Sequence, residues 1–219
     1  MNVVLINGSP RKNGATGTIL HAIESRMQNN QVDTEFIHLA DVNIEPCKGC
    51  CYCYKSGHCT IKDCADEIVE KIHQADGIVI GSPTYASNVS GQLKIFIDRG
   101  HFVLEQLLYG KYAISVATGE NYGNKDTSKI IDNLIQYSGG VLSGRIICNV
   151  PFNSKPNEKY IKKAQRLADK LFEDIRNKKL YPFQKALSSI VFSFGIKPFV
   201  IRKGTQYQGV IDKWKQVNR

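Results

Sequence analysis

The stretch VVLINGSPRKNGATGTIL, residues 3–20, decides the fold. It opens with a short apolar run, Val3–Asn7, passes through a turn rich in Gly and Ser, and enters the helix-like segment Thr16–Met27. An apolar strand, a Gly-rich turn and a helix in direct succession are typical of the first unit of a parallel α/β sheet. The sequence therefore predicts an α/β protein whose first loop lies at the carboxyl end of a strand.

The same alternation of strand and helix continues through residue 176. The predicted strands are Val3–Asn7, Thr34–Leu39, Asp76–Gly81, Tyr112–Thr118 and Val141–Val150. The predicted helices are Thr16–Met27, Asp63–Gln74, Gly91–Leu108, Lys129–Tyr137 and Lys159–Arg176. Strands that are apolar on both faces belong to parallel sheets covered by helices on both sides. We therefore predict a doubly wound, five-stranded parallel sheet.

The alternation ends after Lys179. The segment Ala186–Ile201, ALSSIVFSFGIKPFVI, is apolar, is interrupted by Gly195 and Pro198, and is too short to span a bilayer. We predict one domain over residues 1–179 and a basic and apolar C-terminal appended segment, residues 180–219, that is not an independent domain. The expected docking surface of this segment is the body of the protein or a second subunit. Contact with a membrane surface is the less favoured alternative.

Charge is divided unevenly along the chain. Residues 1–150 carry 13 Lys and Arg against 15 Asp and Glu, whereas residues 151–219 carry 16 against 5. This basic tail alone is too weak a pattern to predict nucleic-acid binding, and we expect none. The chain shows neither a signal-peptide pattern at its start nor an apolar run of membrane-spanning length, so we expect a cytoplasmic protein.

The first loop has the composition of a phosphate-binding turn. It fits neither a Walker loop, because Asn13 stands where the second Gly is required, nor the pattern GxGxxG. A Gly-, Ser- and Thr-rich turn that opens a helix nevertheless offers backbone N–H groups and the positive helix end to an anion. The hydroxyls of Ser9 and Thr16 and the charge of Arg11 would add to this site. The alternative is an ordinary turn that Ser and Thr cap.

Two further loops follow strands three and four. They are GSPTYASNVSGQLKIFIDR, residues 81–99, and TGENYG, residues 118–123. In doubly wound sheets, ligands bind beyond the carboxyl ends of the strands, where the winding reverses. We therefore expect one crevice that holds a phosphate at the first loop and a planar ring at the other two. Tyr85 would flank the ring, the backbone of Thr84–Ala86 would bind its edge, and Thr118 and Gly119 would close the far side.

The stretch PCKGCCYCYKSGHC, residues 46–59, holds five of the seven cysteines. Cys47, Cys50, Cys53 and Cys59 form the pattern C-x2-C-x2-C-x5-C. Disulfides are rare in the cytoplasm, so three alternatives remain: a four-iron four-sulfur cluster, a zinc site, or reduced thiols with a structural or redox role. The seventh, Cys148, lies in strand five and is expected to be a buried apolar residue.

In these motifs, the chain resembles the flavodoxin-like NADPH-dependent FMN reductase family, and within it the iron–sulfur flavoprotein branch. The resemblance rests on GSPRKNGAT, the cysteine loop, ADGIVIGSPTYASNVSGQLKIFIDR and the TG after strand four. It implies a flavodoxin-like fold and non-covalently bound FMN. It also implies that the FMN phosphate lies against Ser9, Arg11, Gly14, Ala15 and Thr16, and the isoalloxazine against Pro83, Thr84, Tyr85, Ala86, Thr118 and Gly119. The metal ligands it implies are Cys47, Cys50, Cys53 and Cys59.

The function implied by this resemblance is an FMN-dependent oxidoreductase that moves electrons between NAD(P)H or a protein donor and a quinone, flavin or protein acceptor, with or without a four-iron four-sulfur cluster. No acid–base catalytic residue is expected, because hydride arrives at the flavin itself. The resemblance also implies a homo-oligomer, a dimer or a tetramer. The alternatives are a non-enzymatic electron-carrier flavoprotein and a zinc-binding interaction protein. A low-molecular-weight phosphatase is excluded because the first loop contains no cysteine.

Overall fold

The computed structural model describes residues 1–217. Its centre is a five-stranded sheet in the order β2-β1-β3-β4-β5, in which every neighbouring pair of strands is parallel. The strands are β1 Asn2–Asn7, β2 Asp33–His38, β3 Gly77–Pro83, β4 Tyr112–Gly119 and β5 Val141–Asn149. The predicted five-stranded parallel sheet is confirmed.

The winding of the sheet reverses beside β1. The end of β1, Asn7, is in register with His38 of β2 on one side and with Gly81 of β3 on the other. The chain thus moves outward from β1 to β2 and then returns to place β3 on the opposite side. The loops that follow β1 and β3 therefore diverge at the position where ligands bind in such sheets.

Helices cover both faces of the sheet. The helices are α1 Ala15–Asn29, α2 Tyr52–Ser56, α3 Ala65–Gln74, α4 Gly91–Arg99, α5 Phe102–Glu105, α6 Asn124–Tyr137 and α7 Glu158–Arg176. One apolar core joins the sheet to α1 and α7 through residues such as Ile19 and Leu171. The other joins it to α3, α4 and α6 through Ile72, Phe96 and Ile131. Cys148 is fully buried in the first of these cores, as predicted.

The predicted helix Gly91–Leu108 is interrupted. Helix α4 ends at Arg99, His101 adopts a left-handed conformation with φ 47°, and the short α5 follows. Gly100 packs so closely that a Cβ atom there would lie 2.5 Å from Cε2 of Phe102. Local helix propensity therefore yields to packing of the Phe102 ring, and the chain turns at Gly100.

The C-terminal segment is helical almost throughout. It consists of α8 Pro182–Ile190, a π-helical stretch Val191–Ile196, α9 Lys197–Lys203, a 3-10 turn Gly204–Tyr207 and α10 Gln208–Gln216. Pro198 has no N–H, and its ring would crowd the carbonyl four residues earlier in a regular α-helix. The wider π-helical turns lie directly before it, so the chain passes Pro198 without ending the helix.

This segment packs on the body of the protein. Its buried residues Phe192, Val200 and Trp214 form a cluster with Val103 and Leu104 of α5, and the Trp214 Nε1–H donates to the carbonyl of Leu104 at 2.7 Å. The boundary at residue 179 stays a prediction, and the last two residues of the predicted 180–219 segment lie outside the described residues. Within residues 1–217, no helix combines the length and apolar character needed to cross a bilayer.

Candidate functional site

The loop after β1 is a compact turn held by its own polar groups. Asn7 is fully buried, and its Oδ1 accepts a hydrogen bond from the Ser9 N–H at 2.9 Å. The Ser9 Oγ accepts from the Arg11 N–H at 3.1 Å, and the Gly14 N–H donates to the Arg11 carbonyl at 3.1 Å. The turn therefore keeps its shape without a ligand.

The N-terminus of α1 lies at the end of this turn and has no side-chain cap. Gly14 occupies the N-cap position with φ −76° and ψ −177°, and it offers no side-chain acceptor to the first N–H groups of the helix. A Cβ atom on Gly17 would lie 1.8 Å from the carbonyl of Lys12, so only glycine allows this close approach. The open end of a 15-residue helix suits an anion.

Arg11 extends from the turn across the mouth of the site. Its guanidinium carbon lies 5.0 Å from the centre of the Phe152 ring, and its Nη1 donates to the side chain of Asn153. Phe152 and Asn153 belong to the loop after β5. The Arg11 side chain thus links the loop after β1 to the loop after β5.

The loop after β3 forms a tight turn beside the first loop. The Tyr85 and Asn88 backbones exchange hydrogen bonds of 3.0 and 2.9 Å, while Ala86 and Ser87 have φ values of 49° and 60°. Two consecutive non-glycine residues in the left-handed region are uncommon and mark a constrained turn. The turn directs the half-exposed ring of Tyr85 to the cleft.

Ser90 ties this turn to the first loop. Its Oγ donates to the carbonyl of Gly8 at 2.5 Å and accepts from the Leu93 N–H at 3.2 Å, which caps α4. Its N–H donates to the Ser82 Oγ at 2.9 Å. The loops after β1 and β3 are therefore held at a fixed separation.

Asn124 organises the far side of the site. Its Nδ2 donates to the carbonyl of Gly119 at 3.2 Å and to the Asn149 Oδ1 at 2.7 Å. A Cβ atom on Gly119 would lie 2.2 Å from the Asn124 Oδ1, so the contact requires glycine at 119. The loops that follow β4 and β5 are thereby joined.

These loops enclose a cleft of about 310 Å³ at the carboxyl edge of the sheet. The lining includes the predicted residues Ser9, Arg11, Ala15, Thr16, Pro83, Thr84, Tyr85, Ala86, Thr118 and Gly119. Gly14 is not part of the lining and contributes its backbone as the N-cap of α1. Sequence reasoning missed lining residues that include Asn124, Tyr122 and Phe152. Phe152 could have been predicted, because β5 was predicted to be parallel to the other strands. The loop after β5 must then lie at the same carboxyl edge of the sheet as the other loops.

Two polar atoms of the cleft show that it suits a polar ligand. Thr84 Oγ1 and Asn124 Oδ1 are buried and have no hydrogen-bond partner among the described residues. Leaving a buried polar atom without a partner costs about 1–3 kcal/mol, so a ligand group that hydrogen-bonds to these two atoms would recover that cost. The open helix end, the two unpartnered oxygens and the aromatic rings at the mouth fit FMN, which carries a phosphate, hydroxyls and a planar ring.

The cysteine loop is closed by a buried ion pair. The Arg99 Nη1 lies 2.7 Å from the Asp63 Oδ2, and both side chains are 1% exposed. The same Nη1 donates to the Glu45 carbonyl at 2.7 Å, so one guanidinium holds both ends of the loop. Burial opposes ionisation of Asp63, but hydrogen bonds from Arg99 and from the N–H groups of Ala65 and Glu45 lower the pKa of its carboxyl.

A cation lies beside each buried thiol of this loop. Cys53 and Cys59 are buried, whereas Cys47 and Cys50 are exposed. Burial acts to lower the pKa of His101, but hydrogen bonds to Cys53 and Glu105 outweigh it and raise that pKa to about 10. Burial acts to lower the pKa of the Arg99 guanidinium, but Asp63 and the neighbouring Cys59 outweigh this effect and raise it.

The four thiols have the donor chemistry of an iron–sulfur site, yet they are not assembled into one. Among residues 1–217, no group of three or more His, Cys, Asp or Glu side chains is arranged to hold a metal ion. The ligand assignment to Cys47, Cys50, Cys53 and Cys59 stays a prediction, and we derive no electron-transfer step through a cluster.

Comparison with known proteins decides the family. The family model for NADPH-dependent FMN reductase matches residues 1–146, which is two thirds of the chain. The chain belongs to this family. The predicted iron–sulfur flavoprotein branch of this FMN reductase family is also confirmed. An iron–sulfur flavoprotein of Clostridioides difficile is 36% identical to this chain over 221 residues, which cover 99% of this chain and 98% of that protein.

Solved structures confirm the flavodoxin-like fold. RosB, solved with bound 8-demethyl-8-formylriboflavin-5′-phosphate, matches with a TM-score of 0.67 at 13% identity, covering 89% of this chain and 86% of RosB. An archaeal flavodoxin matches with a TM-score of 0.55 at 17% identity, covering 80% of this chain and 98% of the flavodoxin. The protein is therefore a flavodoxin-like member of the FMN reductase family, and its activity class is FMN-dependent oxidoreduction.

Proposed function

We propose that this protein accepts electrons from NAD(P)H at FMN bound in the cleft and passes them to a quinone, a flavin or a protein acceptor. The observation that carries the proposal is the meeting of an uncapped helix end with two buried, unpartnered oxygens in one cleft. Family membership supports FMN as the cofactor.

The phosphate of FMN would lie at the N-terminus of α1. The backbone N–H groups of Ala15 and Thr16 begin the helix and point toward the turn, and the positive helix end favours a dianion. Ser9 supplies a hydroxyl, and the guanidinium of Arg11 supplies a full positive charge. Together they provide the charge-assisted hydrogen bonds that bind phosphate strongly.

The isoalloxazine would lie between the loops after β3 and β4. Thr84 offers the unpartnered Oγ1, Asn124 offers the unpartnered Oδ1, and Tyr85 and Tyr122 offer aromatic faces on which a planar ring stacks. The ribityl chain is then left near Thr16 and Thr118.

When bound, FMN supplies the redox chemistry, because it accepts a hydride and can release electrons to one- or two-electron acceptors. The task of the protein is to orient the ring and to shield one face of it. The constrained Tyr85–Asn88 turn and the Ser90 hydrogen bonds hold the loops after β1 and β3 rigid. Tyr122 and Phe152 are exposed at the mouth of the cleft, where a second planar molecule can approach the ring.

The direct test is oxidation of NADH and NADPH by the purified, FMN-loaded protein, followed at 340 nm with a quinone, free flavin or ferricyanide as acceptor. We expect turnover that depends on both pyridine nucleotide and acceptor, and that is lost when FMN is removed and restored when it is added back. Flavin that is reduced by a protein donor but by neither nucleotide would favour the alternative, an electron-carrier flavoprotein.

A second proposal concerns the cysteine loop. We infer that Cys47, Cys50, Cys53 and Cys59 hold a four-iron four-sulfur cluster in the loaded protein, supported by the pattern of four thiols and by the similarity to an iron–sulfur flavoprotein of C. difficile. Protein purified without oxygen should contain about four irons and four sulfides per chain. Zinc in place of iron and sulfide would indicate a structural zinc site. If the protein contains neither iron nor zinc, the four cysteines are free thiols.

We further propose that the protein forms a homo-oligomer and binds no nucleic acid. A homo-oligomer, dimer or tetramer, is tested by light scattering coupled to size-exclusion chromatography. The expected absence of nucleic-acid binding is tested by a shift assay with duplex DNA and with single-stranded RNA at physiological salt.

A further inference from the structure

The helix formed by residues 182–203 is apolar on two opposite sides. One side packs on the body through Phe192, Ile196 and Val200. The other side carries five exposed apolar residues, which we call the apolar stripe: Phe183, Leu187, Ile190, Phe194 and Ile201. Phe183 is 90% exposed and Phe194 is 82% exposed. A helix with apolar residues on two opposite sides is ordinarily covered on both, and nothing among residues 1–217 covers the stripe.

The charge around the stripe is of one sign. Between Asp174 and Asp212 the sequence has no acidic residue and seven basic ones. Five of these basic side chains are exposed and make no ion pair with a described residue: Lys178, Lys185, Lys197, Arg202 and Lys203. The partner that covers the stripe must therefore combine an apolar interior with negative charge.

A second copy of this chain fits poorly as that partner. A two-fold contact would place the same stripe, with the same basic charges, on both sides of the interface. In addition, the exposed Lys197 stands between Phe194 and Ile201 of the stripe in the sequence. A self-paired helix would bring Lys197 and the other basic side chains of both copies toward one interface, where like charges repel. At a bilayer surface, the same lysine can extend its charged end to the headgroups.

We propose that the apolar stripe binds the surface of an anionic lipid bilayer, with residues 182–203 lying in the plane of the interface. The helix is long enough for this, since 22 residues span about 33 Å. Helices that bind anionic membrane surfaces carry large aromatic and aliphatic side chains on one side and lysine and arginine around them. The oxidoreductase would thereby work beside a membrane, where apolar acceptors are concentrated.

The test is cosedimentation of the full-length, FMN-loaded protein with lipid vesicles. We expect binding to vesicles with about 30% phosphatidylglycerol to be at least about tenfold stronger than to vesicles of phosphatidylcholine alone. Raising the ionic strength to about 1 M should weaken it, since the Debye length then falls to about 3 Å. Equal binding to both vesicle types, or no binding to either, would overturn the proposal.

Two variants and a matched control sharpen the result. The double variant Phe183→Ser, Phe194→Ser removes the two most exposed rings of the stripe. The double variant Lys197→Gln, Arg202→Gln removes two positive charges. Each double variant should reduce vesicle binding about tenfold or more. Lys159→Gln with Lys163→Gln makes the same change in net charge on α7 and should leave binding unchanged. FMN content and NAD(P)H oxidation, measured without vesicles, report on folding in all three. A lower oligomeric mass of the Phe183→Ser, Phe194→Ser variant in light scattering would show that a second copy covers the stripe and would overturn the proposal.

Discussion

Thr16 and Thr118 are hydrogen-bonded through their side chains, with 2.8 Å between the two Oγ1 atoms, although 102 residues separate them in the chain. Thr16 lies in the first turn of α1 and Thr118 near the end of β4, and both side chains are buried. This contact joins the proposed phosphate site to the proposed ring site. The cleft is therefore one connected unit and not two neighbouring pockets.

Changes at Thr16 should act on FMN binding. In Thr16→Glu, a carboxylate would face the phosphate at the helix end, so we expect at least tenfold weaker binding of FMN, or about 1.4 kcal/mol. Thr16→Ser keeps the hydroxyl and should bind FMN within a factor of about three of the native protein. Fluorescence titration of the FMN-free protein measures both. Native affinity in Thr16→Glu would place the phosphate elsewhere.

Thr84 offers a test of the unpartnered oxygen. Because its Oγ1 has no partner among residues 1–217, Thr84→Val should leave the melting temperature of protein stripped of FMN unchanged or raised, while FMN binding weakens about five- to tenfold. Ser138 provides the control, since its buried Oγ also has no partner in the described part of the chain but lies outside the cleft. Ser138→Ala should change neither FMN affinity nor, by more than about 1 kcal/mol, stability. Equal effects of the two variants on FMN affinity would contradict the assignment.

The ion pair between Arg99 and Asp63 should dominate the stability of the cysteine loop. Asp63→Asn leaves a buried guanidinium without its counter-charge, so we expect a loss of about 3–5 kcal/mol in the free energy of unfolding. Asp98→Asn breaks an exposed pair with Lys94 and should cost under about 0.5 kcal/mol. Urea unfolding of the native and variant proteins measures both values.

The same pair predicts a pH dependence of known sign. The pKa of Asp63 is lowered in the folded protein, so its contribution to stability is present above the unfolded value of about 3.9 and is lost as pH falls through the folded value. The stability difference between the native protein and Asp63→Asn should therefore be constant near neutral pH and should narrow below about pH 4. A difference that widens with acid would refute this assignment.

The cysteines should differ sharply in reactivity. A hydrogen bond from the Tyr52 N–H is the main cause that lowers the pKa of Cys50, whereas burial raises the pKa of Cys148 to about 11. In reduced, metal-free protein at pH 8, iodoacetamide should label Cys50 early and Cys148 only after unfolding, as mapped by mass spectrometry. In protein that carries a cluster, Cys50 should be protected. Early labelling of Cys148 would contradict its buried position.

The sequence predicted the sheet and most of the cleft because those features are local. A strand, a Gly-rich turn and a helix succeed one another within residues 3–20, and each strand end marks its own loop. Long-range contacts were not visible in this way. The turn at Gly100 depends on the Phe102 ring, the closure of the cysteine loop depends on Arg99, and Asn124 acquires its role from Gly119 and Asn149.

In the C-terminal segment, local sequence signals point to an interruption that the structure does not have. Gly195 and Pro198 suggested an interruption, yet the chain stays helical across both because Phe192, Ile196 and Val200 gain a packed core against the body. Tertiary packing overrides local propensity here, and the π-helical stretch absorbs the proline.

The central claim is that FMN lies across the carboxyl ends of β1, β3 and β4 with its phosphate at the N-terminus of α1. A crystal structure of the protein grown with excess FMN tests it most directly. We expect electron density for the phosphate within hydrogen-bond distance of the Thr16 N–H and the Ser9 Oγ, and for the ring between Tyr85 and Gly119. Flavin density elsewhere, with this turn free of phosphate, would contradict the claim.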